Sequence, residues 1–214
     1  MEKYQVAIVI PAFNEETTIY NVAQSAKRFG VVIVVDDASA DRTKQIAKDV
    51  GVTVVSHTKN RGYDGALNSG FAKAEELDCD AIITFDADGQ HSAKALEKYI
   101  HELQNGIDLV LGIRPKPARI SERLFMFYSR YKFGWFDPLC GMKGYSMELY
   151  RQHGCFDSTG SIGTELATYG LINNFSYTQV EIAISDRKDQ PRFFSSLKSN
   201  LIIMKALLKL IIRR

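Results

Sequence analysis

The sequence predicts an α/β fold with a mainly parallel central sheet and helices on both faces. Short β-branched or apolar runs alternate with segments of helical periodicity, and short loops join them. The loops that follow the runs are polar, as expected at the strand carboxyl ends where open sheets bind ligands. At 214 residues, of which 45% are hydrophobic, the chain is long enough for one such domain.

The predicted elements follow one another in strand–helix order. The first predicted helix follows Asn14, which has the character of an N-cap with acidic residues in the first turn. The strands are predicted at residues 6–10, 31–35, 52–56, 81–85 and 109–113, and the later helices at residues 42–50, 62–76 and 92–104.

The regular alternation weakens after residue 114. The segment that follows contains Pro115, Pro117 and Pro138, an aromatic-rich stretch at residues 125–136 and a Gly141-x-x-Gly144 turn. We expect one catalytic domain over residues 1–194, with a donor half at about 1–114 and an acceptor half at about 115–194. Residues 195–214 are predicted to form a separate C-terminal helix.

Charge and cysteine content exclude several classes of protein. The chain has 27 basic and 25 acidic residues, so its net charge of +2 gives no general case for binding nucleic acid. Its three cysteines form no C-x-x-C pair, which favours packing residues in a reducing compartment. The amino terminus enters a predicted strand without a signal-like segment, so a cytoplasmic protein is expected.

Asp86 and Asp88 follow the predicted strand at residues 81–85, one residue apart. Carboxylates at this spacing can converge on one hard cation, and oxygen ligands suit Mg²⁺ or Mn²⁺. Gln90 offers a further carbonyl oxygen, whereas His91 stands directly before a predicted helix and is left out of the metal shell. An isolated Asp-x-Asp is also common as a solvated turn, and that alternative stays open here. The pair predicts a metal-held phosphate site.

A nucleoside diphosphate at such a site brings more negative charge than one cation offsets beside two carboxylates. Cationic side chains are therefore expected nearby. The sequence contains neither a G-x-G-x-x-G after its first strand nor a P-loop, which disfavours a dinucleotide oxidoreductase and excludes a P-loop enzyme. In aspartyl-phosphate hydrolases the Asp-x-Asp usually ends the first strand, so that class is also disfavoured. The candidate cations are Lys59, Arg61, Arg114, Arg187 and Arg192.

Several motifs occur in a fixed order along the chain, and a set in order is more specific than any one of them. They are Pro11-Ala-Phe-Asn14-Glu15-Glu16, Asp36-Asp37-Ala-Ser39-x-Asp41, Asn60-Arg61-Gly62, Asp86-Ala-Asp88-Gly-Gln90-His91 and Asp137-Pro-Leu-Cys140-Gly141. Together they resemble the motifs of family 2 inverting glycosyltransferases, in particular dolichol-phosphate mannose synthases and related polyprenyl-phosphate glycosyltransferases. The resemblance covers about residues 6 to 192.

The resemblance implies a nucleotide-diphosphosugar transferase (GT-A type) fold and an Mg²⁺ or Mn²⁺ cofactor. It assigns the metal to Asp86, Asp88 and Gln90, and the phosphates to Arg114. It places Arg123 near the acceptor phosphate, and Arg187 and Arg192 where the family has basic residues. The residues expected at the substrates are Pro11, Ala12, Asn14, Glu15, Asp36, Asp37, Lys59, Arg61, Asp86, Ala87 and Asp137.

This chain departs from the family pattern near the acceptor. Cys140 and Met142 stand where Ser and Phe are usual, Gly89 stands where leucine is frequent, and the membrane spans of many relatives are missing. The donor motifs are unaffected, so these differences bear on the acceptor.

The leading hypothesis is transfer of a sugar from a nucleotide-diphosphate donor to a polyprenyl phosphate at the membrane face. A phosphate acceptor is already ionised and needs no base, whereas a hydroxyl acceptor needs one, for which Glu165 and Asp137 are the candidates. The alternatives are transfer to a carbohydrate hydroxyl in surface polysaccharide synthesis, and a non-catalytic nucleotide-sugar-binding scaffold. A homo-oligomer is compatible with each of these hypotheses.

The C-terminal helix is predicted to be amphipathic. Lys198, Lys205 and Lys209 share one face, and the other face is apolar. The apolar run is too short to span a bilayer, which needs roughly 20 residues. Two interpretations remain, namely a peripheral helix on anionic lipid or a membrane subunit, and a helix that docks on its own domain or on a partner chain. The apolar face comprises Leu197, Leu201, Met204, Leu208 and Ile211.

Overall fold

The computed structural model of the protein describes residues 4–115, 120–183 and 196–212. Its strands form a seven-stranded sheet in the order β3-β2-β1-β4-β6-β5-β7. Strand β6 is antiparallel to both of its neighbours, and the other pairs are parallel. The strands are β1 (Val6–Ala12), β2 (Val31–Asp36), β3 (Thr53–Ser56), β4 (Ala81–Thr84), β5 (Leu109–Ile113), β6 (Lys143–Ser146) and β7 (Tyr177–Glu181).

Helices cover both faces of this sheet, as the alternating pattern predicts. Alternate residues of β1 point to opposite sides. Ile8 belongs to an apolar cluster with residues of α1, α2 and α4, and Val9 belongs to another with residues of α3, α6 and α7. The helices are α1 (Ile19–Ala26), α2 (Thr43–Val50), α3 (Gly62–Glu76), α4 (Ala95–Gln104), α5 (Ile120–Phe133), α6 (Met147–His153), α7 (Glu165–Ile172) and α8 (Ser196–Ile212).

Helix α8 packs on α5 away from the sheet. A third apolar cluster joins Phe125 of α5 to four buried residues of α8, which are Ile203, Ala206, Leu207 and Leu210. The fold thus places α8 at the outer side of α5. None of the helices in the described part of the chain is both long and apolar enough to cross a membrane.

The expected N-cap role of Asn14 is wrong. Helix α1 begins only at Ile19, after Thr18, and Asn14 has a positive φ of 54°. Its side-chain oxygen accepts a hydrogen bond from the Ala40 amide at 2.8 Å, in a different loop. Asn14 therefore joins two loops at the sheet edge.

Candidate active site

The loops after β1 and β2 are tied to each other. The Asn14 amide donates to Ser39 Oγ at 2.9 Å, and the Glu15 amide donates to Thr43 Oγ1 at 2.6 Å. Glu15 is buried, and its Oε2 accepts a hydrogen bond from Thr18 at 2.9 Å. These contacts give one rigid wall at the carboxyl end of the sheet, where nucleotide-binding residues were expected.

Asp37 organises the start of α3. Its Oδ1 accepts from the Arg61 amide at 2.8 Å and lies 2.6 Å from His57 Nδ1, while its Oδ2 accepts from the Gly62 amide at 2.8 Å. His57 Nε2 in turn lies 2.9 Å from Ser69 Oγ on α3. His57 was not anticipated from the sequence, because its partners lie 20 and 12 residues away.

Asp36 has a buried side-chain oxygen that no described residue satisfies. The side chain is 3% exposed, and its Oδ1 has no hydrogen-bond partner among the residues that the structure describes. Ala12, which pairs with Asp36 across the two strands, is also buried, and Pro11 pairs with Val35 beside it. A buried carboxylate oxygen without a partner is costly, so a ligand donor at this point would stabilise it.

Asp86 leaves β4 with its carboxylate held from two sides. Tyr63 donates from its hydroxyl to Oδ1 at 3.3 Å, and His91 Nε2 lies 3.5 Å from Oδ2. Burial on its own would raise the pKa of Asp86, but contact with His91 and the charge of Lys143 bring the pKa below its ordinary value. The carboxylate is therefore ionised at neutral pH.

The backbone at Gly141 closes against this carboxylate. A Cβ at position 141 would lie 2.0 Å from Asp86 Oδ2, so any larger residue would have to displace this carboxylate. Thr84 of β4 fixes the approach, because its hydroxyl donates to the Gly141 carbonyl at 2.6 Å. The Gly-x-x-Gly segment, predicted from the sequence as a turn, therefore brings the start of β6 next to the end of β4 that precedes Asp86.

Asp88 and Gln90 lie in the same loop as Asp86. The Gln90 amide donates to Asp88 Oδ1 at 3.0 Å, which turns the chain back after the second carboxylate. Ala87 between the two carboxylates is buried. Two carboxylates and one carboxamide in a single loop are hard oxygen ligands, and the ionised state of Asp86 adds to the fit, so these residues suit Mg²⁺ or Mn²⁺.

Lys143 is a buried cation whose charge acts on Asp86, and sequence reasoning did not anticipate it. It is 3% exposed, donates to the Cys140 carbonyl at 2.7 Å and lies 5.7 Å from the centre of the Trp135 ring. Burial lowers the pKa of Lys143, against the opposing influence of Cys140, Asp137 and Asp86. The sequence around this lysine does not indicate that it is buried near Asp86.

Arg114 is paired with carboxylates from two other segments. Its Nε and one Nη donate to the two oxygens of Asp137 at 2.7 and 2.8 Å, and Glu122 of α5 lies 3.5 Å away. Burial would lower the pKa of Arg114, but the hydrogen bonds and charge of Asp137 raise it above its ordinary value. Arg114 is thus charged, at the end of β5, beside the segment that carries Gly141.

Three of the other predicted cations have exposed side chains. Lys59 and Arg61 are exposed in the loop before α3, and Arg123 is exposed on α5. Arg187 and Arg192 fall outside the described residues.

Glu165 has surroundings that do not fit the expected catalytic base. It is 2% exposed at the start of α7, and its oxygens accept hydrogen bonds from the amides and hydroxyls of Ser158 and Thr159 at 2.7 to 3.1 Å. In addition, His153 Nε2 lies 3.2 Å from Glu165 Oε1. Its carboxylate therefore anchors the loop before α7, and Asp137, the other candidate base, is bound to Arg114.

Comparison with known protein families gives a match over most of the chain. The sequence profile described as Glycosyl transferase family 2 matches residues 7–158, which is more than half of the chain. The chain belongs to glycosyl transferase family 2. Members of this family are glycosyltransferases, and the matched region contains the Asp36, Asp86, Asp88 and Gly141 segments just described.

Several relatives of this family 2 chain are polyprenyl-phosphate sugar transferases by name. It is 34% identical over 131 residues to UDP-N-acetylglucosamine--dolichyl-phosphate N-acetylglucosaminyltransferase of Methanococcus voltae, covering 52% of each chain. It is 26% identical over 205 residues to polyprenol monophosphomannose synthase of Mycolicibacterium smegmatis, covering 85% of this chain and 77% of that one. The chain spans about half the length of the Methanococcus relative.

Solved structures share the fold of this family 2 domain. Glucosyl-3-phosphoglycerate synthase from Mycobacterium tuberculosis, crystallised with Mg²⁺ and uridine diphosphate, superposes with a TM-score of 0.77 at 22% identity. The match covers 96% of this chain and 79% of that chain. The predicted fold, a GT-A type α/β domain with a mainly parallel sheet, is confirmed.

Proposed function

We propose that this glycosyltransferase moves a sugar from a nucleoside diphosphate to a polyprenyl phosphate, using Mg²⁺ or Mn²⁺ at Asp86, Asp88 and Gln90. The observation that carries the proposal is the position of the Asp86 carboxylate, which lies just after β4 between Tyr63, His91 and the Gly141 backbone. A bound divalent cation would neutralise charge on the departing diphosphate.

The donor nucleotide is proposed to lie between the loops after β1 and β2. Asp36 Oδ1 would accept a hydrogen bond from the base or ribose, since none of the described residues donates to that oxygen. Asp37 would fix the start of α3 and would not contact the nucleotide itself, because its carboxylate already accepts hydrogen bonds from the Arg61 and Gly62 amides. The remaining walls of the pocket are proposed to be Pro11, Ala12, Asn14, Glu15, Lys59, Arg61 and Ala87.

Arginines are proposed to stabilise the charge that develops as the sugar leaves. Arg114 is fixed in position by Asp137, so its guanidinium need not reorganise during the reaction. Interactions that are stronger in the transition state than in the ground state raise the rate. Arg123, Arg187 and Arg192 are retained as proposals for the acceptor phosphate.

The hydrogen-bond partners of the two candidate bases favour a phosphate acceptor over a hydroxyl acceptor. Glu165 accepts hydrogen bonds from Ser158 and Thr159, and Asp137 forms a bidentate pair with Arg114. A hydroxyl nucleophile requires a carboxylate that takes its proton, whereas a phosphate monoester is ionised already. Relatives named as polyprenyl- or dolichyl-phosphate transferases support the same choice. Such an acceptor lies in a bilayer, so the reaction is proposed to take place on its cytoplasmic face.

The test is an acceptor assay with a panel of sugar nucleotides and Mn²⁺. A short-chain polyprenyl phosphate should yield a glycosylated lipid and a released nucleoside diphosphate, and Asp88→Ala should abolish turnover. Product formed only with an oligosaccharide acceptor would favour transfer to a carbohydrate hydroxyl instead. Donor binding without turnover on any acceptor would favour the non-catalytic scaffold.

A further inference from the structure

Three potential metal ligands come together where α6 ends and α7 begins. His153 is the last residue of α6, Cys155 follows two residues later, and Glu165 is the first residue of α7. An imidazole nitrogen, the thiol sulfur and a carboxylate oxygen from these residues all lie within 4.8 Å of one another. We call these three residues the α6–α7 cluster. It belongs to a different part of the chain from Asp86 and Asp88, which follow β4.

The backbone after α6 brings Cys155 close to His153. Gly154 between them has a φ of 85° and ends the helix, a left-handed conformation that glycine adopts without steric cost. The His153 imidazole packs on the Tyr169 ring of α7, with the ring centres 4.5 Å apart. The imidazole is thereby held in place while its Nε2 faces Glu165.

The Glu165 carboxylate is oriented by hydrogen bonds, as metal-ligating carboxylates usually are. Its Oε2 accepts from the Ser158 amide, the Thr159 amide and the Thr159 hydroxyl at 2.8 to 3.1 Å. Its Oε1 accepts from the Ser158 hydroxyl at 2.7 Å and lies 3.2 Å from His153 Nε2. A cation bound to Oε1 would therefore replace the contact with His153 and leave the hydrogen bonds from Ser158 and Thr159 in place.

The separation of His153 Nε2 and Glu165 Oε1 fits a shared Zn²⁺. Tetrahedral zinc binds nitrogen and oxygen at about 2.0–2.2 Å, which puts two such ligands roughly 3.3–3.5 Å apart, and the observed distance is 3.2 Å. A hydrogen bond between the two side chains would give the same distance, but it does not account for the thiol beside them. Cys155 is partly exposed, whereas Cys79 and Cys140 are buried in apolar clusters, so core packing does not account for Cys155 either.

We propose that the α6–α7 cluster binds one Zn²⁺ through His153 Nε2, Cys155 Sγ and Glu165 Oε1, with water as the fourth ligand. Imidazole and thiolate favour Zn²⁺ over Mg²⁺ and Mn²⁺, whereas the oxygen ligands at Asp86 and Asp88 favour the harder ions. The thiol releases its proton to solvent as the sulfur–zinc bond forms. The thiolate and the carboxylate then balance the two positive charges of the ion. Partial exposure of His153 and Cys155 gives the ion and the water a route of entry.

A zinc ion at this point would fasten both ends of the loop at residues 154–164. This loop also contacts α3, because the Phe156 amide donates to Asn68 Oδ1 at 2.9 Å and the Ile162 amide donates to Asp64 Oδ2 at 3.1 Å. An ion that binds only the folded protein stabilises it. The role is structural, and it does not depend on the proposed transferase reaction.

Cobalt titration of the full chain tests this site, with excess Mg²⁺ to occupy Asp86 and Asp88 and a reductant to keep the thiols reduced. Co²⁺ takes the place of Zn²⁺ in tetrahedral sites, and its absorption spectrum reports thiolate ligands. The wild type should develop a thiolate-to-cobalt charge-transfer band that saturates at about one equivalent and disappears when Zn²⁺ is added. Cys155→Ser should lose the band. Cys155→Ser and His153→Ala should each weaken zinc binding by about a hundredfold or more, since loss of an outer-shell partner alone costs roughly 10–100-fold.

The matched controls are Cys79→Ser, which removes a buried thiol, and His101→Ala, which removes an exposed imidazole on α4. Both should keep the band. Zn²⁺ should raise the melting temperature of the wild type and of His101→Ala but not that of Cys155→Ser. Circular dichroism of the metal-free proteins should be the same in all variants, which establishes that they are folded.

Three results would overturn the proposal. They are a wild type without a charge-transfer band, a band that persists in Cys155→Ser, and zinc affinity in His153→Ala equal to that of the wild type. Binding of a nucleoside diphosphate with Mn²⁺ should be unchanged in the variants of His153 and Cys155. Failure of that binding in the wild type would count against the proposed function and leave the zinc site standing.

Discussion

Gly141 lies so close to Asp86 that a Cβ at position 141 would fall 2.0 Å from the carboxylate oxygen Oδ2. Strand β6 thereby sets the position of a carboxylate that belongs to β4. The antiparallel insertion of β6 between β4 and β5 is what brings these two residues together. Positioning of the proposed metal ligand depends on this contact.

Gly141→Ala should impair the metal site more than the fold. The added methyl group must displace Asp86, and misplacement of a catalytic group by about 1 Å can cost about 10²-fold in turnover. Kinetics at saturating Mn²⁺ measure this effect. Gly144→Ala is the matched control, because its nearest atoms are apolar carbons of Leu103 and Tyr99 at 3.2 Å. Equal loss of turnover in both variants would contradict the assigned role of Gly141.

Asp36→Asn should weaken nucleotide binding without destabilising the free protein. The buried Oδ1 lacks a partner among the described residues, so removal of its charge costs the empty fold little. A hydrogen bond from a ligand to a charged group contributes about 1.5–3 kcal/mol, which corresponds to roughly tenfold to a hundredfold in affinity. Calorimetric titration and thermal unfolding measure the two quantities. Asp49→Asn on α2 is the surface control, and unaltered affinity in Asp36→Asn would count against the proposed pocket.

Asp64→Asn should stabilise the protein at pH 7 and much less at pH 4.5. Burial, with the neighbouring charge of Asp157, raises the pKa of Asp64 to about 6. A carboxyl with a raised folded pKa favours the protonated native state, so its cost appears as pH rises from about 4 to about 6 and is complete above that range. At about 1.4 kcal/mol per unit the cost at pH 7 is at most about 3 kcal/mol. Melting temperatures at the two pH values test this, and an equal shift at both would refute the assignment.

Separation of Arg114 from Asp137 should destabilise the fold more than removal of both. Arg114→Met or Asp137→Leu leaves one buried charge without its bidentate partner, at a cost on the order of 3 kcal/mol. The double variant removes both charges and should recover part of that loss. Urea denaturation of all four proteins forms a double-mutant cycle. Strictly additive losses would mean that the pair is not coupled.

The local sequence pattern predicted many of the helices and strands in the first 114 residues. Helix α3 (Gly62–Glu76) and strand β5 (Leu109–Ile113) have the predicted bounds, because their apolar periodicity and flanking turn residues are local signals. Asn14 misled the N-cap prediction because its partner, Ala40, is 26 residues away. An isolated sequence does not reveal which loop a polar side chain will reach.

Long-range contacts explain what the sequence analysis missed in the site. Strand β6 has four residues and pairs with both β4 and β5, so its existence depends on strands far from it along the chain. Lys143 comes near Asp86 only through that pairing. Likewise Glu165 became a candidate base from its residue type alone, and the sequence does not show that Ser158 and Thr159 donate hydrogen bonds to its carboxylate. Helix α8 has two apolar faces, and the sequence does not show which of them packs on α5.

Titration of a nucleoside diphosphate, with Mn²⁺ present and after chelation, shows whether Asp86 and Asp88 hold a metal ion at the nucleotide site. The ligand is the nucleoside diphosphate that raises the melting temperature most in a panel. Binding should require Mn²⁺ in the wild type and should be lost in Asp86→Asn and in Asp88→Asn. Equal affinity with and without the metal, or retention of metal-dependent binding in both variants, would contradict it.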